Sequence, residues 1–252
     1  MKLTFLGTGT STGIPMVGCL CPVCHSTDSR NRRRRASVLL LEGQTSVLID
    51  AGPDFRIQAL EQGLHHLDAV VLTHAHADHI LGLDDLRPLS WERGIPIASD
   101  AGTLKQVRRI FPYFFSQVPG KSSRPRVSLE VLKPGKERTW GELTVLPLAI
   151  QHGDDTILGF RCGPVAYLTD CNGIPGETLE RLSDLEVLIL GALRYKPHPT
   201  HFHLATALEM AARVGARRTI LTHLSHDFDH DVLAAELPPG IAPAYDGLVL
   251  EF

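Results

Sequence analysis

The chain has 252 residues, 43% of them hydrophobic and 21% charged, with a formal net charge of −3. These proportions are ordinary for a globular protein that buries a full core, and they argue against a generic nucleic-acid binder. One lysine and a short apolar run open the chain and no apolar stretch approaches ~18 residues, so a cytoplasmic protein without signal peptide or membrane partner is expected.

In chain order, residues 2–7 (KLTFLG) read as a strand and 37–52 (SVLLLEGQTSVLIDAG) as two strands around a Glu-Gly-Gln turn. A helix over 54–63 closes on Gly63, and 68–74 (DAVVLTH) reads as a buried strand. Helices are expected over 80–89 and 103–115, then surface loops and short strands over 117–140. The second half repeats the alternation, with strands at 141–152, 164–170, 186–193 and 217–223 and helices at 175–182 and 204–215. Residues 245–252 (YDGLVLEF) add a last strand. Strands in both halves with helices between them predict a layered α/β fold with two sheets. No linker or low-complexity tract interrupts the chain, so 1–252 is expected to form one domain.

Thirteen histidines are the anomaly of the composition, and most stand in groups: His65/His66, His74/His76/His79, His198/His201/His203 and His223/His226/His230. Three apolar runs end in Leu-Thr followed by His74, Asp170 or His223. Two more end in His152 and Asp50. A single strand often ends on a polar residue where it leaves the core. Five runs that each end in His or Asp point instead to one shared site at a sheet edge. The densest segment is THAHADH, from Thr73 to His79. Residues two apart on extended chain face the same way, so His74 and His76 can grip one cation, while Asp78 and His79 at the following turn can serve a second. Buried without a metal, these groups would leave many polar atoms unpaired.

THAHADH resembles the signature of the metallo-β-lactamase superfamily. Together with GTGTSTGIP and GCLCPVC near the N-terminus, DAGPDFR, and LTHLSHDFD near the C-terminus, it makes the whole chain similar to the PhnP-type branch. The resemblance implies an αββα sandwich, two mixed β-sheets flanked by helices, with a two-metal site at one edge. It implies that His74, His76 and His152 hold one divalent metal, that Asp78, His79 and His223 hold the other, and that Asp170 bridges both. Asp50 fits an outer residue that orients a ligand. His201, in KPHPTHFH, matches the branch's catalytic His and is assigned general acid or leaving-group stabiliser, so His201 and Asp78 are the expected catalytic residues. His203 departs from the small or acidic helix-capping residue usual in the branch. It is read, like His198, as a surface residue.

Cys19, Cys21 and Cys24 set three thiols within six positions, one short of a closed tetrahedral zinc site. Cys162 and Cys171 stand alone, a poor disulfide framework. His25, Cys162 and Cys171 could each supply the fourth ligand. His226, three residues beyond His223, is the better candidate if that segment turns as it leaves its strand, and the resemblance implies the same pairing. The N-terminal loop, about residues 15–30, is then expected to be held by a structural zinc.

Other signals carry less. GTGTSTG (7–13) lacks the ending of a phosphate-binding P-loop and reads as a tight glycine loop near the site. Five Arg within residues 30–35 read as a solvated loop, from which one Arg could reach a substrate phosphate. His65, His66 and His230 are read as surface residues. Two metals roughly 3.5–4 Å apart suit in-line displacement at phosphorus by a metal-bridged hydroxide. The expected function is a metal-dependent phosphodiesterase acting on a small cyclic or nucleotide-like phosphodiester, of the phosphoribosyl cyclic phosphate type. The catalytic metals are expected to be zinc or manganese, with iron also compatible with the ligands. Alternatives are a ribonuclease Z-like nuclease, for whose projecting arm or extra domain 252 residues with a net charge of −3 leave little room, and a non-enzymatic accessory or carrier protein of cofactor biosynthesis. Nucleic acid is not the expected partner; a homodimer is.

Overall fold

The computed structural model describes residues 1–116 and 123–252. In chain order the strands are β1 (Lys2–Gly7), β2 (Ser37–Glu42), β3 (Thr45–Ile49), β4 (Ala69–Val71), β5 (Ile95–Ser99), β6 (Val127–Val131), β7 (Arg138–Trp140), β8 (Leu143–His152), β9 (Asp155–Cys162), β10 (Val165–Leu168), β11 (Val187–Gly191), β12 (Arg218–Thr222), β13 (Ile241–Pro243) and β14 (Val249–Glu251). The helices are α1 (Phe55–Glu61), α2 (Ala77–Ile80), α3 (Ala101–Ile110), α4 (Gly176–Glu180), α5 (Leu204–Val214) and α6 (His230–Glu236).

Seven strands form each of two sheets, in the orders β14-β1-β2-β3-β4-β5-β6 and β13-β12-β11-β10-β9-β8-β7. Each sheet joins an antiparallel half to a parallel half: β3 to β6 run parallel in the first, and β10 to β13 in the second. Both sheets are therefore mixed. Side chains on a strand alternate between its faces, and here both faces are covered. Val38 and Leu40 of β2 meet Phe160 and Tyr167 of the second sheet in the layer between the sheets, whereas Leu39 joins Phe55 and Leu104 under α1 and α3. On β11, Val187 and Ile189 face inward while Leu188 and Leu190 pack toward Ala207 of α5. This gives the expected αββα sandwich, and it explains why these strands read as continuous apolar runs.

The expected helix over 80–89 is not formed as one element. Only α2 is α-helical, because the Gly82 N–H donates to the Ala51 carbonyl instead of back into the helix; 3₁₀ turns follow at Leu83–Leu86 and Pro88–Ser90, where Pro88 has no N–H to offer. The helix expected over 103–115 starts earlier and stops sooner. Asp100 caps it by accepting from the Gly102 and Thr103 N–H groups, and Pro112 diverts the aromatic tail into a 3₁₀ turn. Of the loops and short strands expected over 117–140, β6 and β7 are the strands, and residues 117–122 lie outside the described residues. Strands β5, β9 and β13 had no counterpart in the sequence reading. Gly63, at φ 57°, closes α1 as expected.

The arginine run is not a uniformly solvated loop. Arg33 is 1% exposed and donates to Thr8 Oγ1, to the Ala244 carbonyl and to His230 Nδ1 at 3.2 Å. Arg34 pairs with Glu61, and Arg35 with Asp54. His230, expected at the surface, is correspondingly buried. A charged group can be buried this way because its N–H donors are largely matched by acceptors.

Candidate metal centre

The two sheets end at one edge, and the chain there takes an unusual backbone path. Asp50, Asp170 and His223, each following an apolar strand, have left-handed φ values of 63°, 55° and 55°. For non-glycine residues this costs on the order of 1 kcal/mol or more each, and such strain persists where the surroundings enforce it. The result is that β3, β10 and β12 aim a carboxylate or imidazole back across the sheet edge. His74 and His76 leave β4 in extended chain, with His76 at the N-cap of α2 and Asp78 and His79 in its single turn. His152 is the last residue of β8.

The donors fall into overlapping groups. Ligand atoms of His74, His76 and His152 lie within 4.8 Å of one another, and so do those of Asp78, His79, Asp170 and His223. His152, Asp170 and His201 satisfy the same criterion, so Asp170 stands between the two groups. Asp170 Oδ2 is 3.1 Å from His223 Nε2, 3.4 Å from His79 Nε2 and 4.0 Å from His201 Nδ1. The structure thus brings together every residue of the expected dimetal set.

Outer partners fix the orientation of these donors. Asp50 is fully buried; its carboxylate accepts from the Thr73 N–H and hydroxyl and from His79 Nδ1 at 2.7 Å, which turns His79 Nε2 toward Asp78 and Asp170. His152 donates through Nδ1 to the Thr200 carbonyl at 2.9 Å, leaving Nε2 for the centre. The Thr169 hydroxyl donates to Asp170 Oδ1 at 2.6 Å. The Thr preceding three of the strand-end ligands was visible in the sequence; two of them, Thr73 and Thr169, orient donors.

Electrostatics mark the cluster as built for cations. Burial opposes ionisation of Asp170, yet His223 and His79 hold its carboxyl well below the usual range. Asp78 is likewise lowered by His223 and His79 against its burial. Burial and the neighbouring His79 push His74 well below the ordinary imidazole value. Among the described residues, the buried His74 Nε2 and His223 Nδ1 have no hydrogen-bond partner, and the buried Nε2 atoms of His79 and His223 face the Asp78 and Asp170 carboxylates. Several imidazole nitrogens crowded around two ionised carboxylates would be costly in a finished protein core and fit divalent cations.

His201 lies on the rim of this centre, its ring stacked on His223 at 5.0 Å and 4.7 Å from that of His152. Burial, with His223 and His152, pulls its pKa down to about 3. His198 is not a detached surface residue: its ring is 5.0 Å from that of His201, and its Nδ1 accepts from the Thr200 N–H. His203 occupies the N-cap of α5, where its Nδ1 meets the Thr206 hydroxyl at 3.0 Å instead of capping the backbone.

A second donor cluster sits beside the first. Cys19, Cys21 and Cys24 Sγ lie 3.1, 3.4 and 3.6 Å from His226 Nδ1. Neither His25, Cys162 nor Cys171 joins them; the last two are sealed in the core. The Cys21 thiol is lowered to about 6 by the Cys24 N–H, while burial raises Cys24 to about 11. Three sulfurs converging on one imidazole nitrogen match a closed zinc site. Gly9 pairs with Leu224, between His223 and His226, so the glycine loop after β1 braces the segment that serves both clusters.

A family model for the β-lactamase superfamily domain matches residues 45–224, which includes every dimetal donor named above. The chain belongs to the metallo-β-lactamase superfamily. A crystal structure of a diphosphatase from the PhnP family shares 42% identity and a TM-score of 0.94, covering 100% of this chain and 96% of that one, and puts the chain in the PhnP-type branch. An octanoyltransferase of Porphyromonas gingivalis is 41% identical over 251 residues, 98% of this chain and 51% of that protein; the chain spans about half the length of this relative. A ribonuclease Z of Methanopyrus kandleri is 27% identical, covering 99% of this chain and 97% of that protein. This chain carries donor clusters that could hold metal. Among the described residues no helix is long and apolar enough to cross a membrane.

Proposed function

We propose that residues 1–252 act as one metal-dependent hydrolase of a small phosphodiester, cleaving a P–O bond at a disubstituted phosphorus. The observation that carries this reading is the position of Asp170, between the His74/His76/His152 group and the Asp78/His79/His223 group with His201 on the rim. In this reading His74, His76 and His152 hold one cation, Asp78, His79 and His223 a second, and Asp170 touches both. Bound divalent cations would supply charge neutralisation at the phosphoryl oxygens and a water made acidic enough to attack at neutral pH.

The chain's own residues do the rest. Asp50 and Thr200 lock the tautomers of His79 and His152, so each offers Nε2. His201, held neutral by its surroundings, donates an N–H to the leaving oxygen as charge develops there. Stacking on His223 keeps that ring aligned. Cys19, Cys21, Cys24 and His226 would hold a zinc that braces the wall carrying His223.

The similar PhnP-family protein is a diphosphatase, and a P–O–P linkage between two substituted phosphates offers the same disubstituted phosphorus. The octanoyltransferase name belongs to a protein about twice as long; Cys171, next to Asp170, is 1% exposed with its pKa raised by burial, and Cys19, Cys21 and Cys24 converge on His226. Acyl transfer through a thiol therefore has no support at this site. The test is turnover by zinc- or manganese-loaded protein of an aryl phosphodiester, a ribose cyclic phosphate, a nucleoside-linked diphosphate and a short RNA. Cleavage of the small substrates is expected. Cleavage of RNA alone would favour the nuclease reading, and no cleavage at all the carrier reading.

A further inference from the structure

The loop between β11 and α5 carries His198 and His201 in the run Lys196-Pro197-His198-Pro199-Thr200-His201. Hydrogen bonds from the Leu193 N–H to the Phe202 carbonyl and from the Leu204 N–H to the Arg194 carbonyl, each 2.9 Å, close this loop at its base. Within it His198 is held on either side. The carbonyl before it, on Pro197, accepts from Arg194 Nη2, and the one after it, on Pro199, accepts from Asn172 Nδ2, each at 2.7 Å. Its ring is fixed through Nδ1, which accepts from the Thr200 N–H and hydroxyl, both at 3.3 Å. Thr200 is in turn tied to the metal centre. Its carbonyl accepts from His152 Nδ1, and its methyl packs over Gly153, where a Cβ would come within 2.8 Å.

These contacts fix an imidazole whose other nitrogen they leave unused. Because Nδ1 accepts, the proton sits on Nε2, and that N–H has no partner among the described residues. Burial, with the Arg194 guanidinium next, holds the pKa below the ordinary imidazole value, so the ring is an uncharged donor at neutral pH. It stands half-buried beside His201, with ring centroids 5.0 Å apart, so one bound group can reach both. Ordering a side chain this firmly costs entropy, and a ligand that meets the fixed donor offsets it. We propose that His198 is a leaving-group contact: its Nε2–H binds an acceptor atom beyond the oxygen that His201 serves. Leaving groups that carry such an acceptor, as the second phosphate of a P–O–P linkage does, are then favoured over a plain aryl group. This rests on the phosphodiesterase reading, with His201 at the leaving oxygen. A hydrogen bond to a charged acceptor supports a preference of about tenfold or more.

The test compares a nucleoside-linked diphosphate with an aryl phosphodiester by kcat/KM on the zinc-loaded protein. Calorimetric binding of a methylene-bridged analogue of the diphosphate, which has no P–O–P bond to cleave, is measured alongside. His198→Ala is expected to lower kcat/KM about tenfold or more for the diphosphate and no more than about threefold for the aryl diester, at equal metal content. His198→Gln, whose amide N–H can take the place of Nε2–H, should recover most of the loss. His198→Glu, which offers only a negative acceptor, should fall below the alanine variant. Analogue binding should follow the same order. A residue that only braced the loop would give equal losses on both substrates and no recovery with Gln, and either result would overturn the proposal. So would equal analogue binding by wild type and His198→Ala. Failure to cleave any diester strikes the phosphodiesterase reading alone, because the analogue reads the contact without turnover.

Discussion

The two donor clusters lie side by side, and His223 and His226, three residues apart, belong to different ones. The dimetal cluster is built from imidazoles and carboxylates at strand ends, its acids held ionised by His neighbours, with His76 exposed at the mouth. The other gathers three sulfurs from one loop around a single nitrogen, leaving no donor for an outside group. Hard donors with an open edge suit chemistry, and soft donors in a closed tetrahedron suit a brace. One short segment after β12 thus supplies a donor to each cluster.

The largest expected break in this contrast comes from Asp170→Ala. It should lower kcat on the order of 10³-fold or more, the equivalent of several kcal/mol of lost charge stabilisation, while zinc stays in the thiolate cluster. Steady-state kinetics with metal analysis of the same sample checks both halves. His201→Ala is expected to lower kcat about 10²–10⁴-fold with an alkyl leaving group and far less with nitrophenolate, at unchanged metal content. Equal losses on both substrates would deny it a role at the leaving oxygen. Asp50→Asn should weaken metal affinity at the His79 side by about 10–100-fold, read by competition with a chelator.

On the brace side, Cys21→Ala should cost about 2 kcal/mol or more and lower Tm by about 4–8 °C. An unchanged Tm would remove the structural zinc from the account. The smallest effect belongs to His230. Burial, with Arg33 next, pulls its pKa down to about 4, so the native state refuses a proton that the unfolded chain accepts near 6.5. The stability present above pH 6.5 is lost as pH falls toward 4, by about 2 kcal/mol between pH 7 and pH 5. His230→Gln should flatten that slope in urea midpoints taken across the same range.

Much of the site was legible because strand-end ligands leave a local mark: an apolar run, Leu-Thr, then His or Asp. His152 was readable for the same reason, at the end of PLAIQH. What the sequence hid was mostly nonlocal. Nothing in RNRRRR distinguishes Arg33 from its neighbours; its burial depends on Thr8, Ala244 and His230, which come from the far ends of the chain. Strand β5 was obscured by Pro96, which usually argues against an interior strand, and β9 follows His152 so closely that only the first strand of the hairpin was read. The helix expected over 80–89 failed for a nonlocal reason that apolar spacing does not show: the Gly82 N–H is taken by the Ala51 carbonyl.

The contrast between an open catalytic cluster and a closed structural one is tested most directly by stepwise chelation of the zinc-loaded protein, following metal content and aryl phosphodiester turnover on the same samples. The account predicts that metal leaves the His/Asp cluster first, that turnover falls with it, and that the thiolate-bound zinc remains until the fold is lost. Turnover that survives emptying of the His/Asp cluster, or that falls only when the thiolate-bound zinc is removed, would contradict it.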